Sequence, residues 1–207
     1  MYTLYYSPGS CSLIVHALLE EFGVPFQVTK VDAASKDGYR KINPKGKVPA
    51  LATPDGVLTE CVAIVEYLCD RHGEGKLLGK PGSWERAKTL EQIATLATEV
   101  HPLFNRFFHE DDFSASKEAQ AAVKSRGTEK LLAYFRGEDA QLTKPFWSGD
   151  SLTAADFYFM VIARWGRWLD PPANEMKNIR PFYERMIARP AVARAMQREG
   201  IKAFGTV

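Results

Sequence analysis

Hydrophobic and polar positions alternate in two different ways along this chain. Residues 2–6 form a short apolar run that breaks at Pro8-Gly9 and reads as a strand. Directly after the break, Val15, Leu18, Leu19 and Phe22 recur at the spacing of a helix with one buried face. Gly23 then offers a left-handed cap and Pro25 blocks continuation, so this helix is expected to end at Phe22. Residues 26–31 alternate apolar and polar as a second strand, which gives a strand–helix–strand unit with parallel strands and a right-handed crossover. Residues 32–43 are polar and predict a loop with one helical turn near 39–42. Pro44, Gly46 and Pro49 force an irregular path, and Pro49 belongs at the mouth of a short strand, 50–52. Spacing alone leaves the Val48-Pro49 bond open between cis and trans. Thr53-Pro54-Asp55-Gly56 carries type I turn residues, and Val57-Leu58 returns antiparallel. Cys61, Ile64, Val65 and Leu68 mark one face of a further helix.

The pattern changes after residue 74. Gly75, Gly79, Pro81 and Gly82 break up residues 74–82, which read as a linker. No strand signal follows. Helical periods cover 84–108, 116–136, 153–168, 179–189 and 190–199, with Ser83 placed to cap the first. Pro102 predicts a kink in that first helix and pushes His101 away from helical geometry. Thr153 and Asp156 have capping-box spacing, and Leu152 with Phe157 can staple the turn, so Asp156 is assigned a structural role. The expected organisation is an α/β domain, residues 1–78, followed by an all-α domain, residues 84–207. His109, beside Glu110, Asp111 and Asp112, and the basic residues from Arg180 to Lys202 read as solvated surface.

Composition narrows the function classes. The chain has 207 residues, 45% of them hydrophobic, so a sizeable core is available. A balance of 27 basic and 25 acidic residues, net charge +2, gives no electrostatic reason to expect nucleic acid or an anionic membrane as partner. No apolar run approaches the roughly 20 residues of a membrane span, and no signal peptide is expected. Cys11, Cys61 and Cys69 form neither a disulfide framework nor a C-x-x-C pair, and no cysteine–histidine cluster has zinc spacing. A reduced, cytoplasmic protein without a metal site is expected.

The chemistry concentrates in the first turn, Tyr5-Tyr6-Ser7-Pro8-Gly9-Ser10-Cys11-Ser12. Ser10 is expected to cap the first helix, with Cys11 in its opening turn. Unpaired N–H groups and the positive end of the helix dipole favour a thiolate there, either its own or a bound ligand's. The opposing reading is that Cys11 is a small, inert hydrophobe. The start of the helix at Cys61 is a second anion site. Two helix beginnings with a Val48-Pro49 edge between them suit a small peptide-like ligand. Its sulfur would meet one helix and a carboxylate the other, while the Val48 backbone pairs with it as an added strand would.

Three segments together resemble the cytosolic glutathione transferases. They are Tyr5 through Ser12, Asn43-Pro44-x-Gly46-x-Val48-Pro49-Ala50-Leu51, and Leu58-Thr59-Glu60-x-x-Ala63-Ile64-x-x-Tyr67-Leu68. Cysteine in the first turn is most like the bacterial beta class. The resemblance implies a thioredoxin-like domain ahead of a helical one, a cis bond at Val48-Pro49, and glutathione as co-substrate with no tightly bound cofactor. It also implies glutathione contacts from Ser10, Lys47, Val48, Pro49, Glu60 and Cys61. Many relatives have serine at position 61; a thiol is the poorer partner for a carboxylate, so weakened binding is expected, unless Cys61 is only a small core residue. His101, in Ala97-Thr98-Glu99-Val100-His101-Pro102-Leu103-Phe104, resembles a histidine that lies beside the glutathione sulfur, where it can polarise or accept the thiol proton. Arg164 and Trp165 either line an acceptor pocket or pack a core helix.

The expected function is conjugation of glutathione to small hydrophobic electrophiles by a homodimer. Cys11 and His101 share activation of the thiol in this reading, with Tyr6 and Ser12 as further donors. Two rivals stand beside it: a glutathione-dependent thiol–disulfide reductase using Cys11 as a monothiol, and a non-catalytic adaptor or ligand-binding protein that keeps the fold.

Overall fold

The structure is a computed structural model that describes residues 1–32 and 35–204. Its first half runs β1 (Tyr2–Tyr6), α1 (Ser12–Phe22), β2 (Phe26–Lys30), α2 (Lys36–Arg40), β3 (Ala50–Thr53), β4 (Gly56–Thr59) and α3 (Cys61–His72). The sheet order is β2-β1-β3-β4, with β1 parallel to β2 and both other pairings antiparallel. Strands β1 and β4 therefore run the same way, and α1 and α3, which follow them directly, begin at the same end of the sheet. Tyr2, Leu4 and Tyr6 alternate inward from β1 and pack with Val15 and Leu19 of α1 and Ile64 and Leu68 of α3. This is the thioredoxin-like arrangement. Helix α1 ends where the sequence predicts, with Gly23 left-handed at φ 63°.

The polar stretch after β2 forms its helical turn at Lys36–Arg40, earlier than the 39–42 expected. The cause is local: Asp32 Oδ1 accepts from the Ser35 N–H at 3.0 Å, and this turn launches the helix.

The remainder is helical: α4 (Trp84–Thr95), α5 (His101–Phe108), α6 (Lys117–Gln141), α7 (Ala154–Trp165), α8 (Ile179–Ile187) and α9 (Pro190–Glu199). Helix α7 is its centre, buried at every residue. The capping box forms as expected. Thr153 Oγ1 accepts from the Ala155 N–H at 3.2 Å, and the fully buried Asp156 carboxylate accepts from the Thr153 N–H at 2.7 Å. Asp156 also takes the Ser148 N–H at 3.1 Å and its hydroxyl at 2.5 Å, so a buried carboxylate is fully used in holding the turn.

Two expectations fail here. His101 is not displaced from helical geometry: its φ and ψ are −57° and −43°. Instead a π-helical turn, Leu96–Val100, precedes it, and the His101 N–H donates to the Leu96 carbonyl. One extra residue in that turn makes room for the Pro102 ring, which cannot donate and would otherwise strike the carbonyl four residues back. The basic C-terminal segment is not simply solvated surface either. Arg194 and Arg198 each reach Glu20 at 2.7 Å, and Arg189 pairs with Glu21, so α9 is stitched to α1 by an ionic seam over the buried Ala191, Val192, Ala195 and Met196. Such partly exposed pairs contribute about 0.2–1 kcal/mol each, less than the apolar contact beneath them. Among the described residues no helix is long and apolar enough to cross a membrane.

Candidate active site

The first turn is built from inside and braced from the far end of the chain. Gly9 is left-handed at φ 69°, and a side chain there would come within 2.7 Å of the Arg164 guanidinium. Its N–H donates to Glu199 at 2.8 Å, and its carbonyl accepts from the Trp165 indole at 2.8 Å. Glu199 also accepts from His16 Nδ1 at 2.9 Å, with both side chains fully buried. Cys11 occupies the N-cap position of α1, one place earlier than expected, and the Ser10 hydroxyl accepts from the Ser12 N–H at 3.2 Å. Ser12 is fully buried; its hydroxyl donates to the Ser7 carbonyl at 3.2 Å and shares a 2.7 Å bond with the Ser10 hydroxyl. The Ser12 hydroxyl, expected as a donor to a sulfur, and the Ser10 hydroxyl, expected as a glutathione contact, are both used in closing the loop.

The Cys11 thiol donates to the Val48 carbonyl at 3.4 Å. Burial pushes it up to about 11, with Glu60 adding to the rise, against the pull of the Cys11 and Ser12 N–H groups. At the Cys11 thiol, desolvation thus opposes the helix beginning, which leaves the bound ligand's sulfur as the thiolate that the helix beginning favours. The Val48-Pro49 bond is cis, as the resemblance implies. The loop before it is held by Tyr39 Oη and Asn43 Nδ2, each donating to the Lys47 carbonyl at 2.6 Å. The Val48 N–H makes no hydrogen bond among the described residues.

Across from Cys11, α3 begins without a cap. Glu60 takes φ 68°, a conformation rare outside glycine, and its side chain turns outward to Lys45 Nζ at 2.6 Å. The N–H groups of Cys61, Val62 and Ala63 have no partner among the described residues. The Cys61 thiol points toward the Cys11 carbonyl at 3.9 Å, and burial, then the nearby Cys11 and Glu60, push it well up.

His101 comes to this place from the helical half. Its Nδ1 lies 2.9 Å from Tyr158 Oη, and its ring packs edge-on against Trp165 at 4.8 Å between centroids. Burial, with the Lys47 charge behind it, lowers the imidazole to about 4, so it is neutral at ordinary pH. Nε2 makes no hydrogen bond and is not sealed from solvent. Tyr158 is raised by burial and by Cys61, Cys11 and Glu60, which locates its hydroxyl beside the same group.

Tyr6 is not brought to the sulfur position, and Arg164 and Trp165 take the packing alternative. Tyr6 is buried with its ring on His16 at 5.8 Å, and its electrostatic neighbours are Glu199 and Arg198, because β1 directs it into the sheet core. Arg164 and Trp165, 5% and 8% exposed, pack beneath the Gly9 turn instead of lining an open acceptor pocket. Conversely, Tyr158, Glu199 and Lys45 escaped notice. Tyr158 had one available signal, a lone hydroxyl in the apolar run Phe157-Tyr158-Phe159-Met160, which must find a partner when buried. Glu199 had none, since nothing local distinguishes it from the charges around it.

A thioredoxin-like domain presenting two helix beginnings and a cis-proline edge, followed by a helical domain that sends a histidine to them, defines a class of fold and site. Residues 9–71 match the family model for the glutathione S-transferase N-terminal domain, and residues 94–190 match that for the C-terminal domain. The chain is 37% identical over 205 residues to glutathione S-transferase GstA of Escherichia coli O157:H7, covering 96% of this chain and 99% of that one. Among solved structures, a sphingomonad glutathione S-transferase complexed with glutathione superposes with a TM-score of 0.84 at 31% identity, over 97% of this chain and 100% of the other. The bacterial beta class glutathione S-transferase of Sphingomonas chungbukensis gives 0.82 at 31% identity over the same shares. The chain belongs to the glutathione S-transferase family.

Proposed function

We propose that this enzyme conjugates the thiol of reduced glutathione to small hydrophobic electrophiles, with glutathione as co-substrate held by residues 1–78 and the acceptor by residues 84–207. The observation that carries the reading is the set of N–H groups of Val48, Cys61, Val62 and Ala63, unpaired among the described residues, around one position next to the Cys11 thiol. Val48 pairs with the cysteinyl amide as an added strand would. The uncapped start of α3, at Glu60 and Cys61, takes the γ-glutamyl carboxylate. Lys47 contributes positive charge, Pro49 shapes the edge, and Ser10 closes the turn. The glutathione sulfur then lies by the N–H and thiol of Cys11 and by His101.

A free thiol is mostly protonated at neutral pH, so the site must stabilise the thiolate. Preorganised donors in a partly dry pocket do this. Cys11 acts here through its backbone N–H and not as a nucleophile: its thiol, which donates to the Val48 carbonyl and is pushed up to about 11, supplies very little thiolate at neutral pH. That weighs against the monothiol reductase reading. A two-fold homodimer in the cytoplasm is the assembly and location typical of the family.

The test is conjugation of glutathione to chlorodinitrobenzene. The expected result is turnover well above the uncatalysed rate, reduced by roughly a hundredfold in His101→Ala. No acceleration by the intact protein, or full rates in both Cys11→Ala and His101→Ala, refutes it.

A further inference from the structure

His101 has two ring nitrogens, and which one carries the proton decides what it can do to a sulfur. Tyr158 settles that question. The Tyr158 side chain is 2% exposed in the middle of α7, and its hydroxyl has one hydrogen-bond partner among the described residues, His101 Nδ1 at 2.9 Å. A hydroxyl has a single proton to place and two lone pairs to fill. If Nδ1–H donated to the tyrosine oxygen, the tyrosine proton would be left with no acceptor in a buried position. If the tyrosine donates, only lone pairs go unused, which is the cheaper omission. The ring is neutral, so it has just one proton, and with Nδ1 accepting, that proton sits on Nε2. Nε2 is the nitrogen left without a partner and open to solvent. Trp165 packs edge-on against the ring at 4.8 Å between centroids.

We propose that Tyr158 is a positioning residue: its hydroxyl donates to His101 Nδ1 and holds the ring in the Nε2–H form, so that His101 meets the glutathione sulfur as a hydrogen-bond donor and not as a base. The step this assigns balances simply. The thiol proton leaves to solvent when glutathione binds, and the remaining thiolate accepts from Nε2–H. The functional half of the proposal rests on the reading of His101 given above; the tautomer half does not.

The experiment therefore begins without glutathione. Nitrogen NMR of the full chain carrying labelled histidine should find His101 protonated on Nε2 and bare on Nδ1. In Tyr158→Phe that preference should be lost. Conjugation by Tyr158→Phe should fall about tenfold in kcat with little change in KM for glutathione, the size expected for removing an outer partner of a working imidazole. His101→Gln, which keeps a donor near the Nε2 position and cannot act as a base, should retain several-fold more activity than His101→Ala. A wild-type spectrum with the proton on Nδ1 overturns the proposal, and needs no variant to fold. So does a glutamine variant as inactive as the alanine one. If conjugation is absent in the wild type while the Nε2–H form is found, the transferase reading fails and the tautomer assignment survives.

Discussion

Helices α1 and α3 begin side by side at one end of the same sheet, yet they treat their free N–H groups in opposite ways. At α1 the loop closes on itself. Ser10 and Ser12 exchange hydroxyl bonds, and the Gly9 N–H goes to a carboxylate from the last helix. At α3 the cap residue turns its carboxylate out to Lys45 and leaves three N–H groups without a partner among the described residues. The first beginning is a fixed frame, and the second is a receiving surface. A helix start becomes a binding site when the fold declines to cap it, and the left-handed Glu60 is how this chain declines.

The contrast can be broken most severely at its fixed side. Glu199→Ala removes the acceptor of both His16 and Gly9 in a fully buried position, and should lower stability by about 3 kcal/mol. Thermal unfolding should show this as a fall of several degrees in Tm; an unchanged Tm means that α9 does not brace the turn. Next in size is a pH effect at His101. Its folded value of about 4 lies below the ordinary imidazole value, so the unfolded chain takes up a proton first as pH falls. The associated stability is complete above about pH 6.5 and is lost as pH drops toward 4, amounting to at most about 3 kcal/mol. A Tm series across that range should slope more steeply in the wild type than in His101→Gln; parallel curves count against a buried neutral ring.

On the receiving side the effects are smaller. Glu60→Gly relieves the φ 68° conformation and should raise stability by about 1 kcal/mol while weakening glutathione binding, since the acidic side chain that would pair with the γ-glutamyl ammonium is lost. Calorimetric titration beside a denaturant melt separates the two, and a variant that loses stability removes the claim of strain. Smallest is Cys61→Ser, which exchanges a weak donor for a good one at the open helix start and should tighten glutathione by about threefold, near 0.7 kcal/mol. Identical affinities would mean that only backbone N–H groups are used there.

Much of the receiving side was legible before any coordinates. Val48, Pro49, Glu60 and Cys61 lie close together in sequence, and their path is fixed by local rules: prolines, a glycine, a two-residue turn and a helix start. The bracing side was largely illegible, because its partners are 156 to 190 residues apart along the chain. Tyr6 and Ser12 are the right types near the right motif, yet each is spent on packing or loop closure, and Arg164 and Trp165 take the packing alternative that the sequence also allows. The π turn before His101 belongs to the same category. Pro102 announced a disturbance, but whether helix or histidine would yield depended on Tyr158 and Trp165, which no local pattern connects to it.

The attachment of Gly9 to Glu199 and Trp165 also bears on how the protein is made. A chain emerging from the ribosome passes the end of β4 well before α9, yet the loop that carries Cys11 must wait for Glu199, 190 residues after Gly9. Until then Gly9 has neither acceptor nor donor and can sample other conformations. The proposed glutathione site is thus completed long after its own residues are synthesised, and a product cut short before Glu199 would have the strands and most helices but not the brace on the Gly9 turn.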